Sequence, residues 1–407
     1  MKKNLLKIIA STVLISFGLA VVGCGNEESK TANPDKIVKV GLLHSLSGTM
    51  SFSETPVRDA EKLAIDEINA EGGVLGRKIE IVEEDGKSDP QVFAEKAQNL
   101  LTKGGVVTIF GCWTSASRKA VVPVVERNNS LLWYPVQYEG FESSNNVVYT
   151  GSTLNQQIIP SIDYLLRNGR KKMFLLGNDY IFPKIANKVI KAQLIAKGGE
   201  CVGEEYTPLG HTDYSDIIEH IKAANPDIII NTLNGDTNIG FFRQLKASEN
   251  SVSKIPVMSF SIAETEIQYI DPTNLADHVV AWSYFETLDN ERNRKFVSAF
   301  KKSYGNAKVT DDPMEAAYNS VYLWKAAVEK AKSFETEKVR EALIDLNLYS
   351  PEGEIKISGK SQHLYRQLLI GRINPNGLVD IIEIIPSIQP DPYLETYDWA
   401  KNITLED

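Results

Sequence analysis

Apolar and polar positions along the chain switch repeatedly between a period of two and a helical period. Ile37–Leu43 alternates and is rich in β-branched residues, as a half-buried strand is, and 78–84 alternates again through Ile79 and Ile81. Between them Val57, Ala60, Leu63, Ala64 and Ile68 recur at helical spacing. Thr55-Pro56 reads as the N-cap and first residue of that helix, and Gly72-Gly73 as its end. A helix over 91–101 and a strand over 106–111 follow. Residues 110–140, FGCWTSASRKAVVPVVERNNSLLWYPVQYEG, then read as strand end, polar turn, helix, strand and second turn. The helix carries Ala120, Val121, Val124 and Val125 on one face, and the second strand, 131–134, stops at Pro135. Two strand ends are therefore predicted side by side in a parallel sheet.

The rhythm then restarts. Helices over 156–167, 183–197, 214–224 and 235–247 alternate with strands over 172–177, 200–206, 227–231 and 255–259. After a strand near 278–283 come helices over 290–304, 313–332 and 337–346, then strands over 353–357, 364–373 and 378–383. Asn376-Gly377 between the last two is a hairpin signal. The tail 390–407, with Tyr393 and Trp399, is expected on the surface. The pattern predicts an α/β protein of two doubly wound units whose strand-end loops face across a cleft. Solutes in such sheets collect outside the carboxyl ends of strands, near helix N-termini.

A length of 407 residues accommodates two domains, and 43% hydrophobic with 24% charged residues is an ordinary globular balance. A net charge of −9, with Lys and Arg dispersed, argues against a nucleic-acid partner. The chain opens on Met1-Lys2-Lys3 and Lys7, followed by a 15-residue apolar run, 8–22, that leads into Gly23-Cys24. That run is too short to span a bilayer and reads as a signal peptide over 1–23. Cys24 directly after Gly23 fits a bacterial lipobox. Its thiol is expected to carry a lipid that anchors the protein outside the cytoplasmic membrane, with 24–36 as tether. A plain signal peptide followed by a chance cysteine is the alternative. Cys112 and Cys201 make no disulfide framework and are expected to be free thiols in different units. The five histidines have no metal-ligand spacing, and there is no phosphate loop or nucleophile elbow. No metal, cofactor or catalytic apparatus is expected, and an amide-hydrolysing enzyme is disfavoured although Cys112 lies close to the candidate site.

Three runs carry a recognisable pattern: Arg118-Lys119-Ala120-Val121-Val122-Pro123, Tyr134-Pro135-Val136-Gln137-Tyr138-Glu139-Gly140 and Asn178-Asp179-Tyr180-Ile181-Phe182-Pro183. With VGLLHSLSG at 40–48 and AIDEINAEGGVLG at 64–76, they resemble the type I solute-binding family for branched-chain amino acids and amides. Within it, the chain is similar to the urea-binding components of urea ABC transporters, relatives of the short-chain amide sensors of amidase operons. The resemblance covers about 36–397. It implies two lobes joined by three crossovers: 37–153 with 284–358, and 154–283 with 359–389, leaving 390–407 as a tail. It also implies closure on a solute and delivery to a membrane permease. In the amide sensors the solute contacts fall on the turns that here hold Ser115, Tyr134 and Val136, and on the loop holding Tyr180 and Phe182. At Val136-Gln137 the sensors have threonine and proline, which makes acetamide a less suitable solute here.

The candidate solute-binding set is Trp113, Thr114, Ser115, Tyr134, Val136, Gln137, Tyr180, Phe182, Asp236 and Glu264. Urea is flat and neutral, with one acceptor oxygen and four N–H donors, and each buried group left unpaired costs ~1–3 kcal/mol. Ser115 and the helix-start amides are expected to hold the carbonyl oxygen, Asp236 and Glu264 to accept from the amino groups, and Gln137 to do either. Trp113, Tyr134, Tyr180 and Phe182 would stack on the plane and exclude water. Each has a bland alternative: Ser115 and Asp236 as helix caps, Glu264 as a solvated helix start, Tyr180 and Phe182 as core residues. An amino acid also remains open, with its carboxylate at Ser115 and Ser117 and its ammonium at Asp236 or Glu264.

Overall fold

The structure is a computed structural model that describes residues 36–248 and 252–403, so the expected signal peptide over 1–23 and Cys24 lie outside the described residues. The chain opens with β1 (Ile37–His44), α1 (Ser51–Ala70), β2 (Lys78–Asp85), α2 (Pro90–Asn99), β3 (Ile109–Gly111), α3 (Ser115–Arg127), β4 (Leu132–Tyr134) and β5 (Val147–Tyr149). The strands form one parallel sheet ordered β2-β1-β3-β4-β5. The period of two in β1 sends Val38, Val40 and Leu42 into one core with Ile65 and Ile68 of α1. Leu43 falls into the other, with Phe93 of α2 and Val121 of α3.

A second unit runs through α4 (Ile158–Arg167), β6 (Lys172–Asn178), α5 (Ile181–Lys197), β7 (Glu200–Thr207), α6 (Ser215–Ala224), β8 (Ile228–Thr232), α7 (Thr237–Ala247), β9 (Val257–Ser259), α8 (Glu264–Ile270), α9 (Pro272–Leu275) and β10 (Val279–Trp282). Its parallel strands are ordered β7-β6-β8-β9-β10. Met173 and Leu175 of β6 enter the core under α4 and α5, while Phe174 and Leu176 enter the one under α6 and α7.

The chain then returns to the first sheet through α10 (Glu291–Tyr304), α11 (Asp312–Ala331), α12 (Thr336–Leu343) and the hairpin of β11 (Asn347–Ser350) and β12 (Gly353–Ile357). Trp324, Val339 and Ile355 share a core with Val40 and Trp133. The next strand, β13 (Leu364–Ile373), begins against β12, where Leu364 lies in that same core. It ends against β10, where Leu368 and Ile370 lie in a core of the second unit. An Asn374–Leu378 turn then leads into antiparallel β14 (Val379–Ile388), as Asn376-Gly377 predicts.

The chain thus passes between units after β5, after β10 and within β13. Arg366 of β13 is fully buried where the passages meet. It donates to the Thr150 carbonyl at 2.9 Å, to Asp312 at 3.1 Å, to Glu315 at 3.3 Å and to Glu352. Asp312 in turn accepts the amides of Ser283 and Tyr284 at 2.8 and 3.0 Å. One guanidinium therefore bears on all three passages.

Two expectations are corrected. The first helix starts at Ser51, not after Thr55, and Pro56 lies inside it. Pro56 lacks an amide for the Phe52 carbonyl, but the extra turn is held from outside: Glu54 accepts the Ser45 amide at 2.7 Å and Ser53 donates to Glu266 at 2.7 Å. The tail is not merely superficial. Leu394 and Ala400 are buried in the α4/α5 core, and the Pro392 carbonyl accepts the Phe141 amide of the first unit at 2.7 Å.

Candidate functional site

The first wall is built where β3 and β4 end. Gly111 has φ +143, and a Cβ there would stand 2.0 Å from the Leu43 carbonyl oxygen, so only glycine lets β3 turn this close to β1. The turn presents Trp113, Thr114 and Ser115. Thr114 caps α3: its hydroxyl oxygen accepts the Ser117 amide at 3.1 Å and its carbonyl accepts the Arg118 amide at 3.0 Å. The Thr114 hydroxyl is thus committed to the helix. The amides of Ser115 and Ala116 have no acceptor within the helix and face outward from its positive end. Tyr134, fully buried, donates its hydroxyl to the Trp113 carbonyl. Val136 is buried in the core of the first unit.

Behind this wall lies Arg118, fully buried on α3. Its Nη2 donates to Glu139 at 2.8 Å, its Nε to Glu142 at 2.8 Å and its Nη1 to Ser115 Oγ at 3.1 Å. The guanidinium lies over the rings of Tyr134 and Tyr138, 5.0 and 4.5 Å from their centres. Ser115 donates its hydroxyl proton to the second Glu139 oxygen. The expectation that Ser115 offers that proton to a carbonyl oxygen is therefore corrected: the proton is turned inward, and the Ser115 and Ala116 amides are the donors left on this wall.

The second wall comes from the other unit. Tyr180, half-buried just before α5, belongs to this wall, and burial, then the neighbouring Tyr134 and Glu139, hold its phenol well above its ordinary value. The helices that follow the two turns, α3 and α5, touch. Phe182 is 2% exposed and packs with Ile185 and Val189 in the α4/α5 core. It is a core residue because α5 starts at Ile181, two residues earlier than expected, and thereby turns position 182 inward.

Several contacts join the walls. Trp113 Nε1 donates to Asn234 Oδ1 at 3.4 Å, and Gln137 Nε2 donates to the Phe260 carbonyl at 2.9 Å and Ser261 Oγ at 3.2 Å. Ser53 donates to Glu266, and Thr265 to Asp311. Gly235, at φ +63, comes so near the first unit that a Cβ would meet Met50 Sδ at 2.8 Å and the Thr49 oxygen at 2.9 Å.

Among the described residues, eight buried side-chain polar atoms have no hydrogen-bond partner, and three belong to the candidate set: Gln137 Oε1, Asp236 Oδ1 and Glu264 Oε2. Such orphans are rare because each costs ~1–3 kcal/mol when no donor reaches it. Asp236 is the N-cap residue of α7, its carboxyl beside its own amide and that of Thr237 without a capping bond to the next turn, and burial raises it above the usual range. Glu264 is fully buried, not solvated; its other oxygen accepts the Glu286 amide at 2.7 Å. Burial and then the charge of Asp311 hold its carboxyl well above the usual range. The loops thus carry unmet acceptors at Gln137 and Asp236, one on each wall, helix-end donors on the first, and in Glu264 a buried carboxyl oxygen without a partner. No cluster of three His, Cys, Asp or Glu side chains suited to a metal occurs among the described residues. Cys112 and Cys201 are free thiols.

Sequence reasoning missed Arg118, Glu139 and Ser261 as parts of the walls. A usable signal was present for Arg118 alone: it follows Ser115 by three positions, on the same face of one helix.

The model of a periplasmic binding protein domain matches residues 38–398. The Leu/Ile/Val-binding protein homolog 6 of Brucella melitensis is 26% identical over 378 residues, covering 90% of this chain and 93% of that protein. Among solved structures, a solute-binding protein of an ABC transporter from R. palustris, in complex with 4-hydroxybenzoate, superposes with a TM-score of 0.80 at 24% identity, covering 89% of this chain and 100% of the other. The branched-chain amino acid transporter substrate binding protein of Streptococcus pneumoniae, in complex with isoleucine, gives a TM-score of 0.77 at 20% identity, covering 86% and 100%. Two wound sheets, three passages and loops that meet across a cleft thus coincide with a family match along nearly the whole described chain: it belongs to the periplasmic binding proteins and has their type I fold.

Proposed function

We propose that this protein captures urea between its lobes and delivers it to an ABC permease, tethered outside the cytoplasmic membrane by a lipid on Cys24. The lobes would be 37–153 with 284–358 and 154–283 with 359–389, hinged at the passages around Arg366. The observation that carries the reading is the trio of unpartnered buried oxygens on Gln137, Asp236 and Glu264. The unmet Gln137 and Asp236 acceptors call for a solute rich in N–H groups, and urea has four on two sides of one plane, while the unpartnered Glu264 oxygen offers a further polar contact. The Ser115 and Ala116 amides would take its oxygen, while Trp113, Tyr134 and Tyr180 would enclose its faces. A short amide close to urea fits the same groups less fully.

A free carboxylate is matched poorly, because Arg118 is already enclosed by Glu139 and Glu142. The kinship with Leu/Ile/Val-binding proteins nevertheless favours a second reading, a branched-chain amino acid. Its carboxylate would lie at the α3 amides and its ammonium at Asp236 or Glu264.

Calorimetric titration and thermal shift with urea, acetamide, formamide, isoleucine and 4-hydroxybenzoate separate these. A solute at a hundredfold excess over Kd stabilises the folded state by ~2.7 kcal/mol. Urea should give the largest shift. A larger one with isoleucine would establish the second reading, and ammonia released from urea would mean an enzyme.

A further inference from the structure

We infer that Glu139, held by Arg118, fixes the hydrogen-bond polarity of the cleft by making Ser115 an acceptor toward the solute. This rests on the reading of the cleft as the solute site, and it names a positioning pair that the site's own contacts do not reveal. A hydroxyl has one proton and two lone pairs. Arg118 can only donate, so its 3.1 Å contact occupies one Ser115 lone pair. Glu139, which accepts from Arg118 at 2.8 Å through one oxygen, takes the Ser115 proton on the other. What remains on Ser115 is a single lone pair.

All four residues of this arrangement (Ser115, Arg118, Glu139 and Glu142) belong to the first unit, at or behind its wall, so the polarity is set before the units close. It adds a hydroxyl acceptor to the unmet oxygen of Gln137 on the same wall. A solute offering N–H groups is matched there; one offering a second acceptor meets opposed lone pairs. Glutamine at position 139 should reverse this. Its carbonyl can keep the Arg118 bond while its amide N–H donates to Ser115 Oγ, which turns the Ser115 proton outward.

The test is a double-mutant cycle on the full chain, with urea affinity read by calorimetry. Glu139→Gln should weaken urea about tenfold when Ser115 is present and by less than about threefold in the Ser115→Ala background. Equal losses in both backgrounds, or no loss in either, would overturn the inference. Should wild type bind another solute and not urea, the urea reading falls by itself and the same cycle is run with that solute. A ligand-free readout stands apart from both: the Ser115 hydroxyl proton should exchange slowly with water by NMR. Fast exchange in wild type overturns the inference whatever the protein binds.

Discussion

Gln137 shows how one side chain can serve closure and capture together. Its Nε2 crosses to the Phe260 carbonyl and Ser261, while its Oε1 is unmet. Gln157 also donates to the Phe260 carbonyl, at 3.2 Å, so replacing Gln137 does not orphan that oxygen. Gln137→Leu should therefore change ligand-free stability by less than ~1 kcal/mol and weaken urea roughly tenfold to a hundredfold. Thermal unfolding of the free protein and calorimetric titration check the two halves separately. An unchanged affinity would remove Gln137 from the site. At this scale sequence reading finds residue types better than their commitments. Trp113, Ser115 and Gln137 stand out in a polar turn, but the partner of Ser115 is Glu139, 24 positions away. Only the register of β3 beside β4 brings those two turns together.

Among elements, the loop between β8 and α7 and the strand β13 bear on closure in opposite ways. Gly235 permits close approach: alanine there would be strained at φ +63 and would strike Met50 and Thr49 of the other unit. The backbone strain costs ~1 kcal/mol in any state, but the collision arises only when the units meet. Gly235→Ala should leave the free protein folded with a slightly lower Tm and reduce urea affinity at least tenfold, with small-angle scattering reporting a larger radius in saturating urea than for wild type. Arg366 instead holds the passages together. Removing it leaves Asp312, Glu315 and Glu352 buried without their cation, and breaking such a cluster costs ~3–5 kcal/mol. Arg366→Met should lower the denaturation midpoint accordingly, whereas an unchanged midpoint would mean the cluster is not the clamp described. Elements with strong periodicity were legible to within one or two residues, as β12 and β13 illustrate. What escaped was decided by distant partners. The strand β5 is only Val147–Tyr149, too short for a pattern, and exists because β4 offers it an edge. The extra turn of α1 exists because Glu54 and Ser53 find acceptors and donors elsewhere, against the local signal of Thr55-Pro56.

For the molecule as a whole, buried titratable groups act on stability from both sides of neutrality. Burial lowers His278 to about 4 and His363 to about 3. His278 Nδ1 accepts the Val257 amide at 3.1 Å, and the His363 ring lies between the Ser361 carbonyl and the Tyr138 hydroxyl, so each is suited to the neutral ring. The unfolded chain protonates these rings near 6.5, so their contribution is present above that pH and is lost as pH falls toward 4. The other limb has the opposite sign. Burial and then Asp311 raise Glu266 to about 8, burial raises Asp311 to about 6, and Glu61 and Glu54 outweigh burial to raise His44 to about 9. Groups raised in this way stabilise below their unfolded values and lose that as pH climbs through the folded ones. For Glu266 the window runs from 4.5 to about 8, and for His44 from 6.5 to about 9. Calorimetry from pH 4 to 9 should therefore find the highest Tm near pH ~6, with a decline on each side. His278→Gln should flatten the acid limb and Glu266→Gln the alkaline one. Because Glu266 is bonded to Ser53, and Asp311 to Thr265, across the cleft, the alkaline limb also acts on closure. Urea affinity should then weaken from pH 6 to 8, although urea itself does not titrate there. An affinity that strengthens over that interval would show that these carboxyl groups are as well solvated closed as open, and that closure is held by the Gln137 and Trp113 contacts instead.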